Sequence, residues 1–184
     1  MNKLLNLVAI AAVFAVTAIS ANAQNPMVGG QAMFKSKTIV ENALNSPDHT
    51  TLVAAVKAAG LVDVLSSKGP FTVFAPTNDA FRDLPEGTVD TLLKPENKEM
   101  LTKVLTYHVV AGRYDSESLK KLIQAGGGMA SLKTVAGGTL MFMMNGHSNI
   151  VVKDEKGNVA NIPTYDVMQS NGVIHVVDKV LMPN

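Results

Sequence analysis

The change in hydrophobic period along the chain constrains its fold more than any other feature. Between residues 36 and 59, apolar side chains recur at helical spacing. Phe71–Ala75 is a β-rich run, and further helical segments follow up to residue 124. From residue 132 onward, short apolar runs alternate with glycine-rich turns, which is typical of strands. Helices first and strands later predict an α+β domain in which helices pack on an antiparallel sheet.

The N-terminus carries the pattern of a cleavable export signal. Lys3 precedes the apolar run Leu4–Ile19, and Ala21-Asn22-Ala23 supplies the small-x-small pattern of a cleavage site. The alternative is a transmembrane anchor, but the run is shorter than the about 20 apolar residues that span a bilayer. We therefore predict cleavage after Ala23 and a secreted or periplasmic protein that keeps no transmembrane segment.

The mature chain is predicted to be one domain without covalent cross-links. Residues 24–35 contain glycines and show no periodicity, which predicts a flexible N-terminal segment before a domain over residues 36–184. About 160 residues bury enough surface for a core of their own. The sequence contains no cysteine, so disulfides, thiolate metal sites and thiol nucleophiles are excluded.

The charge distribution argues against a nucleic acid as partner. The chain has 16 basic and 15 acidic side chains, and Lys3 is the only charged one in residues 1–23, so cleavage leaves 15 of each sign. The longest basic run is Lys120-Lys121. Nucleic-acid binding usually needs a basic stripe that displaces phosphate counterions.

The usual sequence patterns of catalysis and metal binding are missing. The sequence has no G-x-S-x-G and no H-E-x-x-H, and no lysine follows the glycine triplet 126–128 as it would in a phosphate-binding loop. The four histidines, His49, His108, His147 and His175, share no ligand spacing. We therefore predict no catalytic residues, no metal and no cofactor, and a protein that is not an enzyme.

The run Leu140–Met144 has the most unusual composition in the chain, with three methionines around Phe142. The simplest interpretation is a strand buried on both faces. The alternative is an adaptable groove for a hydrophobic small molecule or a partner's side chains near Met141, Phe142 and Met144, which would make the protein a carrier or sensor. A soft Cu(I) site is disfavoured, because methionines that alternate along a strand point to opposite faces.

Several short polar residues are predicted to be structural. Thr77, Asn78 and Asp79 follow the β-rich run and are suited to capping the turn after it. Asn171-Gly172 lies between two apolar runs and predicts a type I′ hairpin turn, in which both residues adopt positive φ.

Two histidines lie among apolar residues. His108 ends a helical apolar stripe and is interpreted either as a buried, hydrogen-bonded residue at a helix end or as part of a recognition dipeptide with Tyr107. His175 alternates with apolar residues along a predicted strand, where a structural role is the simpler interpretation.

Three segments in order resemble the fasciclin domain. Residues 71–81, FTVFAPTNDAF, resemble its first signature block; residues 105–110, LTYHVV, resemble its Tyr-His segment; and residues 171–178, NGVIHVVD, resemble its second signature block. The resemblance covers about residues 36–183 and is greatest to single-domain bacterial members.

The resemblance implies a β-wedge or sandwich of about seven strands flanked by several helices. It also implies a non-enzymatic module for adhesion, through contacts with a cell-surface or extracellular-matrix protein or a carbohydrate. Its partner-binding residues would be Tyr107 and His108, together with Asp166 and Val167, where the family has Asp-Ile. Because adhesion benefits from several linked contacts, a homo-oligomer is a further expectation for a chain with one domain.

Overall fold

The computed structural model describes residues 25–184, and the predicted export signal, residues 1–23, lies outside that range. Within it the chain forms seven α-helices and ten β-strands. The helices are α1 (Ile39–Asn45), α2 (Thr50–Ala59), α3 (Val62–Ser66), α4 (Asn78–Arg82), α5 (Thr88–Leu92), α6 (Lys98–Tyr107) and α7 (Ser116–Ala125). The strands are β1 (Met27–Val28), β2 (Gln31–Ala32), β3 (Phe71–Pro76), β4 (Val109–Ala111), β5 (Met129–Lys133), β6 (Thr139–Asn145), β7 (Asn149–Lys153), β8 (Val159–Asn161), β9 (Thr164–Gln169) and β10 (Gly172–Val177).

Eight of the strands form two four-stranded sheets. The first sheet has the order β4-β3-β10-β9, and the second has the order β5-β6-β7-β8. Neighbouring strands are antiparallel except β3 and β10, which run parallel with Gly172 opposite Phe71 and Val177 opposite Pro76. The predicted α+β class is confirmed. The sheet was predicted to be antiparallel, and the parallel pair of β3 and β10 corrects that prediction. The chain has ten strands within residues 25–184, where about seven were expected.

The first sheet separates two hydrophobic cores. One face, with Val73 and Ile174, packs against α1 to α6, which contribute residues such as Leu52 and Leu105. The opposite face packs against α7 and the second sheet, where the Phe74 and Phe142 ring centroids lie 5.2 Å apart. All six residues of β10 are buried as a result, because both of its faces meet a core. No helix within residues 25–184 is long and apolar enough to cross a membrane.

The start of the described chain is structured. Residues 24–35 were predicted to be flexible, but β1 and β2 form an antiparallel hairpin at Met27–Ala32. Val28 and Met33 are buried in the helical core, where they offset the cost of ordering this segment. The glycines at the turn of this hairpin, which suggested flexibility, both adopt positive φ.

The methionine-rich strand β6 is buried on one face only, which corrects the prediction of a strand buried on both. Leu140 and Phe142 are fully buried against α7, whereas Met141 and Met143 are half-buried on the other side of the second sheet. The alternation follows from the period of two along a strand with one face towards the core.

Candidate functional site

Tyr107 and His108 lie where α6 ends and β4 begins, and both side chains are buried. Tyr107 is the last residue of α6, and His108 is its C-terminal cap. Their exposed fractions are 0% and 2%. The helix packs Leu101, Val104 and Leu105 against the helical core, and its last residue, Tyr107, is buried in the core between the two sheets.

His108 is a neutral imidazole that connects α6 to the C-terminal segment. Its Nδ1 lies 2.8 Å from the Val104 carbonyl oxygen and donates to it, and its Nε2 accepts from the Leu181 amide at 2.9 Å. Burial lowers the pKa of His108 to about 4, and hydrogen bonding to Val104 opposes that shift only in part. Both ring nitrogens are therefore used within the fold.

The Tyr107 hydroxyl connects the second sheet to a surface loop. It donates to the Thr139 carbonyl oxygen at 2.9 Å and accepts from the Glu155 amide at 3.0 Å. Burial raises the pKa of Tyr107 to about 12, so the hydroxyl keeps its proton at neutral pH. Tyr107 thus positions the loop 154–158 between β7 and β8.

We expect Tyr107→Phe to lower the free energy of unfolding by about 1–2 kcal/mol, because a partly buried carbonyl and a partly buried amide lose their common partner. Urea denaturation followed by circular dichroism measures the change. Tyr114→Phe is the matched control, since the Tyr114 hydroxyl makes no hydrogen bond within residues 25–184, and it should change stability by less than about 0.5 kcal/mol. Equal losses in the two variants would contradict the role assigned to the Tyr107 hydroxyl.

Asp166 and Val167 lie in β9 and connect the first sheet to α7. The Asp166 carboxylate accepts from the Ser116 amide at 2.7 Å and from the Ser116 hydroxyl. Its backbone has φ 58°, the left-handed region that non-glycine residues seldom adopt, at an irregularity in the pairing of β9 with β10. Val167 is 1% exposed in the helical core.

His175 completes this connection from β10. Its Nδ1 accepts from the Asp166 amide at 3.3 Å, and its Nε2 lies 2.8 Å from the Tyr114 carbonyl oxygen, to which it donates. Burial lowers the pKa of His175, while the Tyr114 carbonyl and Asp166 act in the opposite direction. The structure therefore brings Asp166 and His175 together, with the imidazole neutral and both nitrogens used.

Three of the four residues predicted to bind a partner do not offer a contact surface. Tyr107, His108 and Val167 are buried, and the half-buried Asp166 uses both carboxylate oxygens on Ser116. The three buried side chains are therefore out of reach of another macromolecule in the folded chain, and partner binding by Asp166 stays a prediction. Their observed contacts hold loops and chain ends in place.

The polar residues after β3 hold two helices. Thr77 accepts from the Ala80 amide and caps α4. The Asn78 side chain accepts from the Thr51 amide at 3.0 Å and donates to the Pro47 carbonyl oxygen at 2.8 Å, which fixes the start of α2. Asp79 forms an exposed ion pair with Arg82.

The turn at Asn171 differs from the type I′ prediction. The loop residues are Ser170 and Asn171, and neither they nor Gly172 has positive φ. The buried Asn171 side chain instead accepts from the Ile39 amide at 3.0 Å and donates to the carbonyl oxygens of Leu65 and Ser67, both at 2.8 Å. Gly172 is needed for space, because a Cβ there would lie 2.1 Å from a backbone oxygen of β3.

Sequence reasoning missed Asp154 as an organising residue of the loop 154–158. Asp154 is fully buried, and its carboxylate accepts from the Asn158 amide at 2.8 Å, from the Asn158 side chain at 2.8 Å and from the Met182 amide at 2.9 Å. The signal was present, because an Asp that begins a short loop often bonds backbone amides two to four residues ahead. The loop exposes Lys156 and Asn158 to solvent.

The part of the chain from residue 25 onward contains no group of three or more His, Asp or Glu side chains arranged to hold a metal ion. The apolar cavity between α1 to α3 and the first sheet is not lined by the methionine-rich strand β6, since Met141, Phe142 and Met144 are not among its wall residues.

Comparison with known proteins identifies relatives for nearly the whole domain. The sequence profile of the fasciclin domain matches residues 47–183. The Synechocystis protein sll1483 is 49% identical over 162 residues, which are 87% of this chain and 81% of the relative. Immunogenic protein MPT70 of Mycobacterium tuberculosis is 37% identical over 146 residues, 77% of this chain and 66% of the relative.

A solved structure has the same fold. A pair of such domains from the insect cell adhesion molecule fasciclin I superimposes with a TM-score of 0.69 at 21% sequence identity. The match covers 79% of this chain and 51% of the domain pair. The resemblance found in the sequence is therefore confirmed both by the profile and by the fold.

Proposed function

Because this chain belongs to the fasciclin domain family, we propose that it is a non-enzymatic binding module that mediates adhesion outside the cytoplasm. The observation that carries this proposal is the common fold with a domain pair of an insect cell adhesion molecule over 79% of the chain. The export pattern at residues 1–23 supports a secreted or periplasmic location. The partner is a protein or a carbohydrate of a cell surface or matrix.

The chemistry of the signature residues supports a non-enzymatic role. A general acid or base needs a free atom within hydrogen-bond reach of a substrate. Three buried groups use both their donor and their acceptor in hydrogen bonds with the backbone, namely the imidazoles of His108 and His175 and the Tyr107 hydroxyl. The proton affinities of the two histidines are lowered by burial, which favours the neutral form needed for these structural bonds.

We propose that the partner contacts the exposed loop 154–158. The buried signature residues do not touch the partner, but they hold this loop in position. Tyr107 bonds the Glu155 amide and Asp154 bonds Asn158, so the loop is held from both ends. Lys156, at its tip, is exposed and can reach a carboxylate or hydroxyl of a partner. Homo-oligomerisation would multiply this single contact, as adhesion requires.

A binding array of glycans and matrix proteins, probed with the chain from Gln24 onward, tests the proposal. For a partner found there, Lys156→Glu should weaken binding by about tenfold without changing the melting temperature, because a contact charge is reversed on a loop that stays folded. Lys68→Glu is the control, an exposed lysine in the loop between α3 and β3.

Two results would count against the proposal. If no glycan or matrix protein binds at micromolar protein, the adhesive function itself fails. If Lys68→Glu weakens binding as much as Lys156→Glu does, the effect reports overall charge, and the loop 154–158 is not the contact.

A further inference from the structure

An apolar cavity of about 80 Å³ lies in the helical core, between α1 to α3 and the first sheet. Its wall is made almost wholly of aliphatic side chains, among them Ile39, Val40, Leu52, Val56, Leu105 and Ile174. Leu44, which is 51% exposed, and the exposed Lys57 also line it, so the cavity reaches the surface between α1 and α2. A small molecule therefore has both a space and an entrance.

One polar side chain in this wall lacks a partner. His49 lies in the short 3-10 turn before α2 and is 3% exposed. Its Nδ1 is 2.8 Å from the Ser46 hydroxyl, whereas its Nε2 is buried without a hydrogen-bond partner among residues 25–184. The Ala75 carbonyl raises the pKa of His49 against the larger effect of burial, but it does not meet the geometry of a hydrogen bond to Nε2.

Buried polar atoms in native proteins are nearly always hydrogen-bonded, and an exception in a cavity wall indicates a missing partner. A water molecule is a poor candidate, because buried waters need two to four polar contacts and this wall is almost wholly aliphatic. An ionised group is also disfavoured, because the aliphatic wall would not compensate its lost hydration.

We propose that this cavity binds a small hydrophobic molecule with one hydroxyl group, which bonds Nε2 of His49 while the hydrocarbon part packs against the aliphatic wall. A hydroxyl fits because it both donates and accepts, and the Ser46 hydroxyl allows His49 to adopt either neutral tautomer. The volume admits about three non-hydrogen atoms, judged against the 150 Å³ engineered cavity that holds benzene. This site is independent of the loop 154–158 and of the adhesive function.

The test compares ethanol with propane, which have the same shape but differ in the hydroxyl group. Each is titrated into the protein while methyl and histidine ring signals are followed by NMR. Both should shift methyl signals of Ile39, Val40 and Leu52, but only ethanol should shift the ¹⁵N signal of His49 Nε2. The hydrocarbon gains more transfer free energy on leaving water, so the two Kd values of the wild-type protein do not isolate the hydrogen bond. The ratio of the two Kd values is therefore compared between the wild type and a variant of His49.

His49→Phe removes the hydrogen-bonding atom and keeps a ring of similar size. The ratio of the ethanol Kd to the propane Kd should rise roughly tenfold in this variant. Ala43→Leu, which adds a side chain at the cavity wall, should abolish saturable binding of both compounds while the melting temperature shows that it folds.

An unchanged Kd ratio in His49→Phe would overturn the role of His49. Saturable binding that survives Ala43→Leu, or no saturable binding of either compound to the wild-type protein, would overturn the site itself. If His49→Phe does not fold, the ¹⁵N signal of the wild-type protein decides: a shift with both compounds, or with neither, contradicts the hydrogen bond.

Discussion

An Asn171→Leu variant is expected to lose about 3 kcal/mol or more of unfolding free energy, although Asn171 lies in a two-residue hairpin turn where substitutions are usually tolerated. Its side chain is buried and makes three hydrogen bonds, one from the Ile39 amide and two to the carbonyl oxygens of Leu65 and Ser67. Leucine has a similar volume but leaves these groups without a partner, at about 1–3 kcal/mol for each group that stays buried.

Ser170→Ala is the matched control for this effect. Ser170 is the other residue of the same turn, is exposed, and bonds the Lys37 carbonyl only through its backbone amide, which alanine keeps. Its stability should stay within about 0.5 kcal/mol of the wild type in urea denaturation. If Asn171→Leu also changed the free energy of unfolding by less than about 0.5 kcal/mol, the three hydrogen bonds would not stabilise the fold. The connection that they make between the last hairpin and the helices would then contribute nothing to stability.

The protein is expected to lose stability steeply between pH 6.5 and pH 4. His108 is neutral in the folded chain, with a pKa of about 4, whereas an unfolded histidine takes up a proton near pH 6.5. The unfolded state therefore binds more protons in this range, and the free energy of unfolding falls as the pH falls. His108 alone contributes a loss of about 2 kcal/mol between pH 7.5 and pH 5. Burial also lowers the pKa of His49 and His175, so both add to the loss.

Urea denaturation at pH 7.5, 6 and 5 measures this dependence. In His108→Leu the loss between pH 7.5 and pH 5 should be smaller by about 2 kcal/mol, whatever the variant's stability at pH 7.5. His147→Ala, at a histidine exposed in the folded chain, is the control for the loss of an imidazole. The carboxylates with lowered pKa, Glu41 and Asp115, act at lower pH and do not mask the effect. A free energy that stays constant from pH 7.5 to pH 5 would show that these histidines are protonated in the folded state.

The sequence predicted those features whose partners are close along the chain. Thr77 caps the helix that begins one residue later, and its bond to the Ala80 amide spans three residues. The family resemblance supplied the α+β class as well, because its three blocks occur in β3, at the end of α6 and in β10.

The features that the sequence could not predict depend on distant partners. The Asn171 side chain forms hydrogen bonds with Ser67, Leu65 and Ile39, which lie 104, 106 and 132 positions away along the chain. Local turn preferences therefore predicted a left-handed backbone, whereas the observed constraint comes from these tertiary contacts. The hairpin at Met27–Ala32 is stable because Val28 and Met33 reach the helical core, which no short window of sequence reveals. The cavity beside His49 is likewise formed by several elements together, and His49 has no pattern around it that distinguishes it.

The parallel pairing of β3 with β10 joins positions 101 residues apart, and β10 ends seven residues before the C-terminus. A chain that becomes available to fold from its N-terminus onward cannot place β10 beside β3 until residues up to Val177 are present. Until then β3 has an open edge on one side, and both cores lack the strand that separates them. Native folding therefore waits for residues up to Val177, and a chain truncated before Gly172 would lack the strand that joins β3 to β9.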